Sequence, residues 1–265
     1  MPAEEPRPRA KSNRVVVTMR RRSTVHMEIV GGGFLGELSE SQEEALRLVR
    51  NAVDAEHYPE LDLSPEQRTF KLDDRMLLRF LRAQNFKVSK AIEQVKDHIR
   101  FRNQWRPHEI KATDPDIAAF IDAGIWEIVA ETNDGHPVEV LRFRCYHPAA
   151  FTPEAFTRAV IYHRERVLER LSNPAKDTVY HQEEFVLRER SLIIFDAHGW
   201  KVGYQGTAAG MRQIRTLIDI LTRQYCETLG VGAIIFAPAV FRWVWALIKP
   251  WMDSETANRI VFGEC

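Results

Sequence analysis

Three short apolar runs in the last third of the chain limit its architecture more than any other feature. "SLIIFDAHGW" (191–200) begins as an apolar run and stops in polar residues and glycine, "GAIIFAP" (232–238) repeats the pattern, and "RIVF" (259–262) is a shorter third copy. Runs of this length bounded by turn residues read as strands buried on both faces. Between the first two, Ile214, Leu217, Ile218, Leu221 and Tyr225 recur at the spacing of one helix face, and the segment between the second and third is helical in pattern too. Strand, helix, strand, helix, strand is the order of a parallel sheet with right-handed crossovers, so the expected class is α/β with a mainly parallel sheet flanked by helices.

Upstream the pattern is different. From about Ser39 to Trp105 the chain reads as helix throughout. Asp73 and Asp74 are suited to cap a helix striped with Leu77, Phe80 and Leu81, Ser89 to cap a second with Ile92, Val95 and Ile99, and Pro107 closes the segment. "WEIVAE" (126–131) and "VEVLRF" (138–143) flank "TNDGHP", a hairpin signal built on Asp134-Gly135. A long helix follows, capped at Thr152 with Pro153 at its first position and a core face of Phe156, Val160, Val167 and Leu171. The expected divisions are a basic tail and glycine linker (1–36), a helical domain (37–106) and an α/β domain (107–265).

The second helix of the α/β pattern is unusual in composition. "APAVFRWVWALIKPWMD" (237–253) holds three of the six tryptophans. On a helix, Arg242, Ala246 and Lys249 share one line, and every other position from Val240 to Ile248 is apolar. A surface helix normally carries a wider polar face. Either both flanks pack into protein, or one flank covers an apolar cavity and the other meets a membrane surface, where tryptophan is at home. A span is too long for it: the longest uncharged stretch, Thr228 to Phe241, has 14 residues and contains Pro238, whereas a bilayer takes about 20.

Composition narrows the function. Net formal charge is zero, which argues against a dedicated nucleic-acid binder. Cys145, Cys226 and Cys265 are odd in number and form no C-x-x-C, as expected of a reduced, cytoplasmic compartment and of a chain without a zinc site. The start of the chain has no apolar core of a secretory signal. Arg20, Arg21 and Arg22 sit in a Pro- and Ser-rich tail that reads as solvated, with contact to anionic lipid as the alternative. Gly31, Gly33 and Gly36 spell G-x-G-x-x-G, but no second strand with a ribose-binding acid follows, so a linker is the better reading. No G-x-S-x-G elbow and no phosphate-binding P-loop occurs. Asp196 and His198 stand where a strand ends, the usual ligand edge of an α/β sheet, but no nucleophile accompanies them. The cluster His181, Glu183, Glu184 and the pair Cys145, His147 are weak metal or haem signals.

Two segments together resemble the CRAL-TRIO family of lipid-binding and lipid-transfer proteins. "DDRMLLRFLRAQNFKVSKAIEQVKDHIRFRNQW" (73–105) is similar to the family's helical domain, and "YCETLGVGAIIFAPAVFRWVWALIKPWMDSETANRI" (225–260) to its strand, gate helix and K-P-[FW]-[LM]-D turn, with "DGHPV" (134–138) and "SLIIFDAHG" (191–199) between them in order. The resemblance implies an apolar lipid pocket floored by the sheet and covered by a mobile helix. It assigns that gate to Phe241, Trp243, Val244 and Trp245 with Leu247, Ile248 and Trp251. It assigns the pocket lining and rim to Ile193, Phe195, Asp196 and His198 with Leu217, Leu221 and Ile235. Head-group candidates are Lys249, Arg242 and Thr216. Phosphoinositide-binding members are expected to carry basic residues where this chain has Gln84 and Asn85, and a Glu where it has Thr216; the family's Arg in "DGRP" is His136 here. The implied ligand is a phospholipid or another hydrophobic small molecule, bound without a cofactor, metal or catalytic residue by a monomer that contacts membranes transiently. A lipid-sensing scaffold and a binder of haem or another hydrophobic ligand are the other readings.

Overall fold

The computed structural model describes residues 32–55, 72–133, 135–171, 181–182, 185–186 and 189–263. The tail with Arg20–Arg22, Gly31, Asp134 of the hairpin turn, Glu183, Glu184 and Cys265 lie outside the described residues.

Three helices come first: α1 (Glu40–Ala55), α2 (Asp74–Ala83) and α3 (Val88–Trp105). The Asp73 side chain caps α2 by accepting from Met76 N at 2.9 Å, as its position predicts. The Ser89 cap is corrected. Helix α3 starts two residues earlier, after Lys87, which makes no capping bond, because the tight α2–α3 turn already holds this end: Asn85 and Phe86 are left-handed (φ 50 and 57) and Phe86 N donates to Leu81 O at 2.7 Å. The left-handed Arg106 (φ 44), just before Pro107, ends α3.

A short helix α4 (Pro115–Asp122) leads into the sheet. Strands β1 (Trp126–Glu131) and β2 (Pro137–Arg142) form the expected antiparallel hairpin. Helix α5 (Pro153–Leu171) then crosses over, its Ala155 N bonded to the Thr152 hydroxyl at 3.1 Å. A two-residue pair, β3 (His181–Gln182) and β4 (Phe185–Val186), precedes β5 (Ser191–Asp196). Helix α6 (Ala208–Asp219), β6 (Leu229–Ile235), α7 (Phe241–Ile248), α8 (Ser254–Asn258) and β7 (Ile260–Phe262) complete the order. Among the described residues the main sheet has five strands, in the order β1-β2-β5-β6-β7, parallel everywhere except at β1.

Helix α6 does not run on as α-helix to Tyr225. At Ile220–Gln224 it widens into a π turn, closed by Tyr225 N to Ile220 O at 3.0 Å. One hydrophobic cluster joins the helical layer to the sheet, with Leu77, Phe80, Val95 and Ile99 packed in the same group as Ile193, Tyr225 and Cys226.

The sheet register decides what faces the helices. Leu141 pairs with Phe195, Phe195 with Ile234, and Gly232 with Ile260. Because side chains alternate along a strand, Trp126, Leu141, Ile193, Phe195, Ile234 and Ile260 share one face.

Candidate functional site: an apolar cavity beneath helix α7

That face floors a cavity of about 970 Å³, bordered by all six of those side chains. Phe156 and Val160 of α5 and Leu217, Ile218 and Leu221 of α6 and the π turn supply the sides. Phe241, Val244, Trp245 and Ile248 of α7 cover it. Such a volume lies near the upper end for sites that enclose a small molecule. Gly232 keeps the floor open: a Cβ there would lie 2.9 Å from the Phe195 ring and 3.1 Å from the Ile260 side chain.

Helix α7 has two apolar faces with different surroundings. Phe241 is 4% exposed, meets the Trp200 ring edge to face at a centroid distance of 5.4 Å and stacks on Phe143 at 5.8 Å. Trp243 is 78% exposed and Leu247 64% exposed, and Val240 and Phe236 next to the helix are also exposed. Of the seven residues assigned to the gate, Phe241, Val244, Trp245 and Ile248 border the cavity, whereas Trp243 and Leu247 face outward. Trp251 is half-buried, with the Arg215 guanidinium 5.1 Å from its ring, and does not border the cavity.

Other assignments also need correction. The lining residue on β6 is Ile234 rather than Ile235, because the pleat puts Ile235 on the opposite face. Asp196 falls on the far face from Phe195 for the same reason; it accepts from His198 N at 3.0 Å and pairs with Arg144 at 3.4 Å. His198 is exposed, 6.3 Å from the Phe236 ring. Neither residue borders the cavity. Ile193, Phe195, Leu217 and Leu221 do.

The three head-group candidates are not brought together. Arg242 and Lys249 are exposed on the solvent side of α7, and the Thr216 hydroxyl donates to Arg212 O at 3.1 Å within its own helix. None borders the cavity. Polar side chains border the cavity at two places instead: around Gln84, Asn85, Lys90, Gln94, Asp97 and Arg223, and near α8 and β7 at Asp253, Glu255 and Arg259. Gln84 Nε2 donates to Gln94 Oε1 at 2.6 Å and Gln94 Nε2 to Arg223 O at 2.8 Å, a relay from α2 through α3 to the π turn.

Polar groups missed in the sequence border the apolar part. Arg164, fully buried on α5, donates through one terminal nitrogen to both Glu139 oxygens at 2.9 Å and through the other to Thr228 Oγ1 at 2.9 Å. His163 Nε2 contacts the same carboxylate at 2.8 Å. Burial works to raise the Glu139 pKa, but the Arg164 charge and the His163 and Ser191 hydrogen bonds outweigh it and hold the carboxyl at about 2. Burial pushes the His163 imidazole down, against the pull of Glu139, and the Cys226 thiol up to about 12. Tyr146 donates to Gln213, whose amide holds Pro148 O and Phe151 O at 3.2 and 3.0 Å. Gln205 likewise holds Phe143 O and Tyr146 O at 2.8 and 2.9 Å, so two glutamines fix the segment after β2 that borders the cavity.

Among the described residues no three His, Cys, Asp or Glu side chains converge as a metal site, and no helix is long and apolar enough to cross a membrane. Cys145 and His147 do not border the cavity, which leaves the haem reading without the axial ligands the sequence suggested.

Comparison with known proteins gives the same architecture. Over 251 residues the chain is 24% identical to "Protein real-time" of Drosophila melanogaster, covering 89% of this chain and 35% of that protein. Over 199 residues it is 26% identical to "Phosphatidylinositol transfer protein CSR1" of Eremothecium gossypii, covering 71% and 42%. The chain thus spans less than half the length of these curated relatives. The crystal structure of Sfh5 superposes with a TM-score of 0.61 at 17% identity, over 84% of this chain and 80% of that one, a likeness of fold. Family profiles match at residues 34–97 (CRAL/TRIO, N-terminal domain) and 124–264 (CRAL/TRIO domain), and on that match, in a helical layer followed by a five-stranded mixed sheet, the chain belongs to the CRAL/TRIO family.

Proposed function

We propose that this chain encloses a single lipid, a phospholipid or a similarly apolar molecule, and carries or presents it at membrane surfaces, with α7 as the gate. The observation that carries the reading is the two-sided α7: its inner face covers a cavity of about 970 Å³, and its outer face leaves Trp243 and Leu247 in solvent. A helix that only closed a core would not spend a tryptophan on water. The printed name of the Eremothecium relative, a phosphatidylinositol transfer protein, supports the same class.

The physical logic needs no bond to be made or broken. Each methylene moved from water to an apolar site gains about 0.8 kcal/mol, so a two-chain lipid leaves a bilayer through water very slowly. A cavity opened against the bilayer removes that barrier. Arg242 and Lys249, on the solvent side of α7, then meet the head groups of the membrane rather than that of the enclosed lipid, each adding about 1 kcal/mol toward an anionic surface. The free Cys145 and Cys226 fit a cytoplasmic, peripherally bound protein.

Purified protein incubated with labelled vesicles and re-isolated tests the reading. The expected result is about one lipid per chain in organic extracts and accelerated transfer to acceptor vesicles. Protein that returns no lipid and leaves the transfer rate at its spontaneous value overturns it.

A further inference from the structure

Helix α7 is held unequally at its two ends. At its start, Phe241 is buried in a cluster with Ala197, Trp200 and Ile234. At its other end, Ile248 is buried over the cavity but belongs to neither hydrophobic cluster of the described residues. The turn that follows, Lys249–Trp251, meets α6 at the surface, where the Arg215 guanidinium lies 5.1 Å from the Trp251 ring. Arg215 is exposed and Trp251 half-buried. A cation over an indole at such a site favours the joined state by only about two- to fivefold. The end of α7 that lacks a packed cluster is therefore tied to the cavity wall by a contact that is weak and open to competition.

The surroundings name the competitor. Residues 197–218 and 236–252 contain no Asp or Glu, in a chain with as many acidic as basic side chains. They carry Lys201, Arg212, Arg215, Arg242 and Lys249, all exposed. Among the described residues none of the five forms an ion pair, whereas Arg223 in the π turn pairs with Asp97 at 3.3 Å. Asp219, one turn beyond Arg215 on α6, is exposed and does not pair with it. The same two segments hold Val202, Tyr204, Phe236, Val240, Trp243 and Leu247 as exposed apolar side chains. Unpaired cations among exposed apolar groups suit a bilayer with anionic head groups; an acidic solute would match the charge but not the apolar groups. A guanidinium gains by leaving a ring for a phosphate or carboxylate, because the anion accepts two charge-assisted hydrogen bonds and the ring accepts none.

We infer that Arg215 and Trp251 form a catch on the gate, and that the anionic head groups of a target bilayer release it by taking the guanidinium from the ring. The inference rests on the gate reading above and adds a direction to it: α7 lifts at its Trp251 end and pivots about the buried Phe241 end. It also couples opening to arrival. The cavity stays covered in solution and is uncovered where an acceptor surface supplies the anion.

The test compares full-length wild type, Arg215→Gln and Trp251→Leu in the transfer of pyrene-labelled phosphatidylcholine and phosphatidylinositol. Transfer is measured between vesicles of phosphatidylcholine alone and between vesicles in which a fifth of the lipid is phosphatidylserine. Both substitutions remove the catch and are expected to raise transfer between the neutral vesicles about two- to fivefold. Trp251→Leu keeps every charge and is expected to reduce, by the same factor, the acceleration that phosphatidylserine brings. An Arg215 that only drew the protein to anionic lipid would leave neutral transfer unchanged in Arg215→Gln and the phosphatidylserine response unchanged in Trp251→Leu. Either result overturns the catch while leaving lipid carriage intact. Wild type that transfers neither probe overturns the phospholipid-carrying reading and the catch with it. A readout on wild type itself is its fluorine spectrum after labelling with 5-fluorotryptophan, the Trp251 signal being the one that Trp251→Phe lacks. That signal should move further with nanodiscs containing phosphatidylserine than with phosphatidylcholine nanodiscs, and stay in place with soluble glycerophosphoserine. Equal movement with both nanodiscs, or movement with the soluble head group, overturns release by the anionic bilayer.

Discussion

His98 on α3 is fully buried and shares a hydrogen bond of 3.0 Å with Gln224 Oε1 in the π turn, so it joins the helical layer to the wall of the cavity. Burial, reinforced by the nearby Arg102 charge, lowers its pKa from 6.5 to about 3. The amide oxygen of Gln224 accepts, which places the proton on Nδ1. Between pH 6.5 and 3 the unfolded chain takes up a proton there that the folded chain refuses. This contribution to stability is complete above about pH 6.5 and is lost as the pH falls below it. Urea titrations at pH 7 and pH 5 should therefore show wild type losing about 2 kcal/mol more than His98→Gln over that interval. Parallel losses in the two proteins would mean that the imidazole is not the group titrating. Little at this scale was legible in the sequence. Glu139 and Arg164 are 25 positions apart, and charged residues within a strand and a helix read as solvent-facing; only the tertiary fold makes them a fully buried pair beside a cavity. Asn85 read as a lost basic residue, but its left-handed backbone (φ 50) gives a local reason for asparagine, which tolerates that region.

At the scale of elements the order of strands and helices was legible because the periods are distinct, two for the hairpin and 3.6 for α5 and α6. What the periodicity of an all-apolar segment does not contain is its phase. "GAII" does not say which isoleucine meets the cavity, and the register with Phe195 selects Ile234. In α7 the apolar character was plain, but the division into an inner face of Phe241, Val244, Trp245 and Ile248 and an outer face with Trp243 and Leu247 comes from where β6 delivers the chain. That division separates two roles that substitution can test. Replacing Trp243 and Leu247 together by Asp touches exposed positions and should change folding stability by no more than about 0.5 kcal/mol. It removes the side chains offered to a bilayer, each worth about 1.5–3 kcal/mol when fully buried, so vesicle-to-vesicle transfer should fall at least about tenfold while lipid already enclosed stays bound. Sedimentation with vesicles and a transfer assay read the two quantities separately. Unchanged transfer would remove the outer face of α7 from the mechanism.

Across the whole molecule, the helical layer and the sheet are held by buried charge as well as by a shared hydrophobic cluster. Arg82 of α2 donates to Glu189 Oε2 at 3.2 Å and to Gly33 O at 2.9 Å, its guanidinium lies 4.2 Å from the Phe34 ring, and it approaches Glu227 at 3.9 Å. Glu227, just before β6, also pairs with Arg190 and, at 3.3 Å, with Arg259 before β7. Burial would raise the Glu227 pKa, yet the Arg190, Arg259 and Arg82 charges hold it at about 2. One carboxylate thus balances guanidinium groups from α2, from the approach to β5 and from the approach to β7. The network would be no more stabilising than apolar packing of the same volume, but removing one partner leaves charges buried without balance, which typically costs about 3–5 kcal/mol. Glu227→Gln keeps the volume and removes the charge. It should lower the unfolding free energy read from urea titrations by that amount at pH 7, and the difference from wild type should shrink as the pH falls from about 4.5 toward 2, where the wild-type carboxyl itself becomes protonated. Because three of the tethered segments converge there, amide exchange in α2 should quicken in the variant before that in β5 and β6. A loss below about 1 kcal/mol, or uniform acceleration across both layers, would mean that the shared hydrophobic cluster alone couples the helical layer to the cavity-bearing sheet.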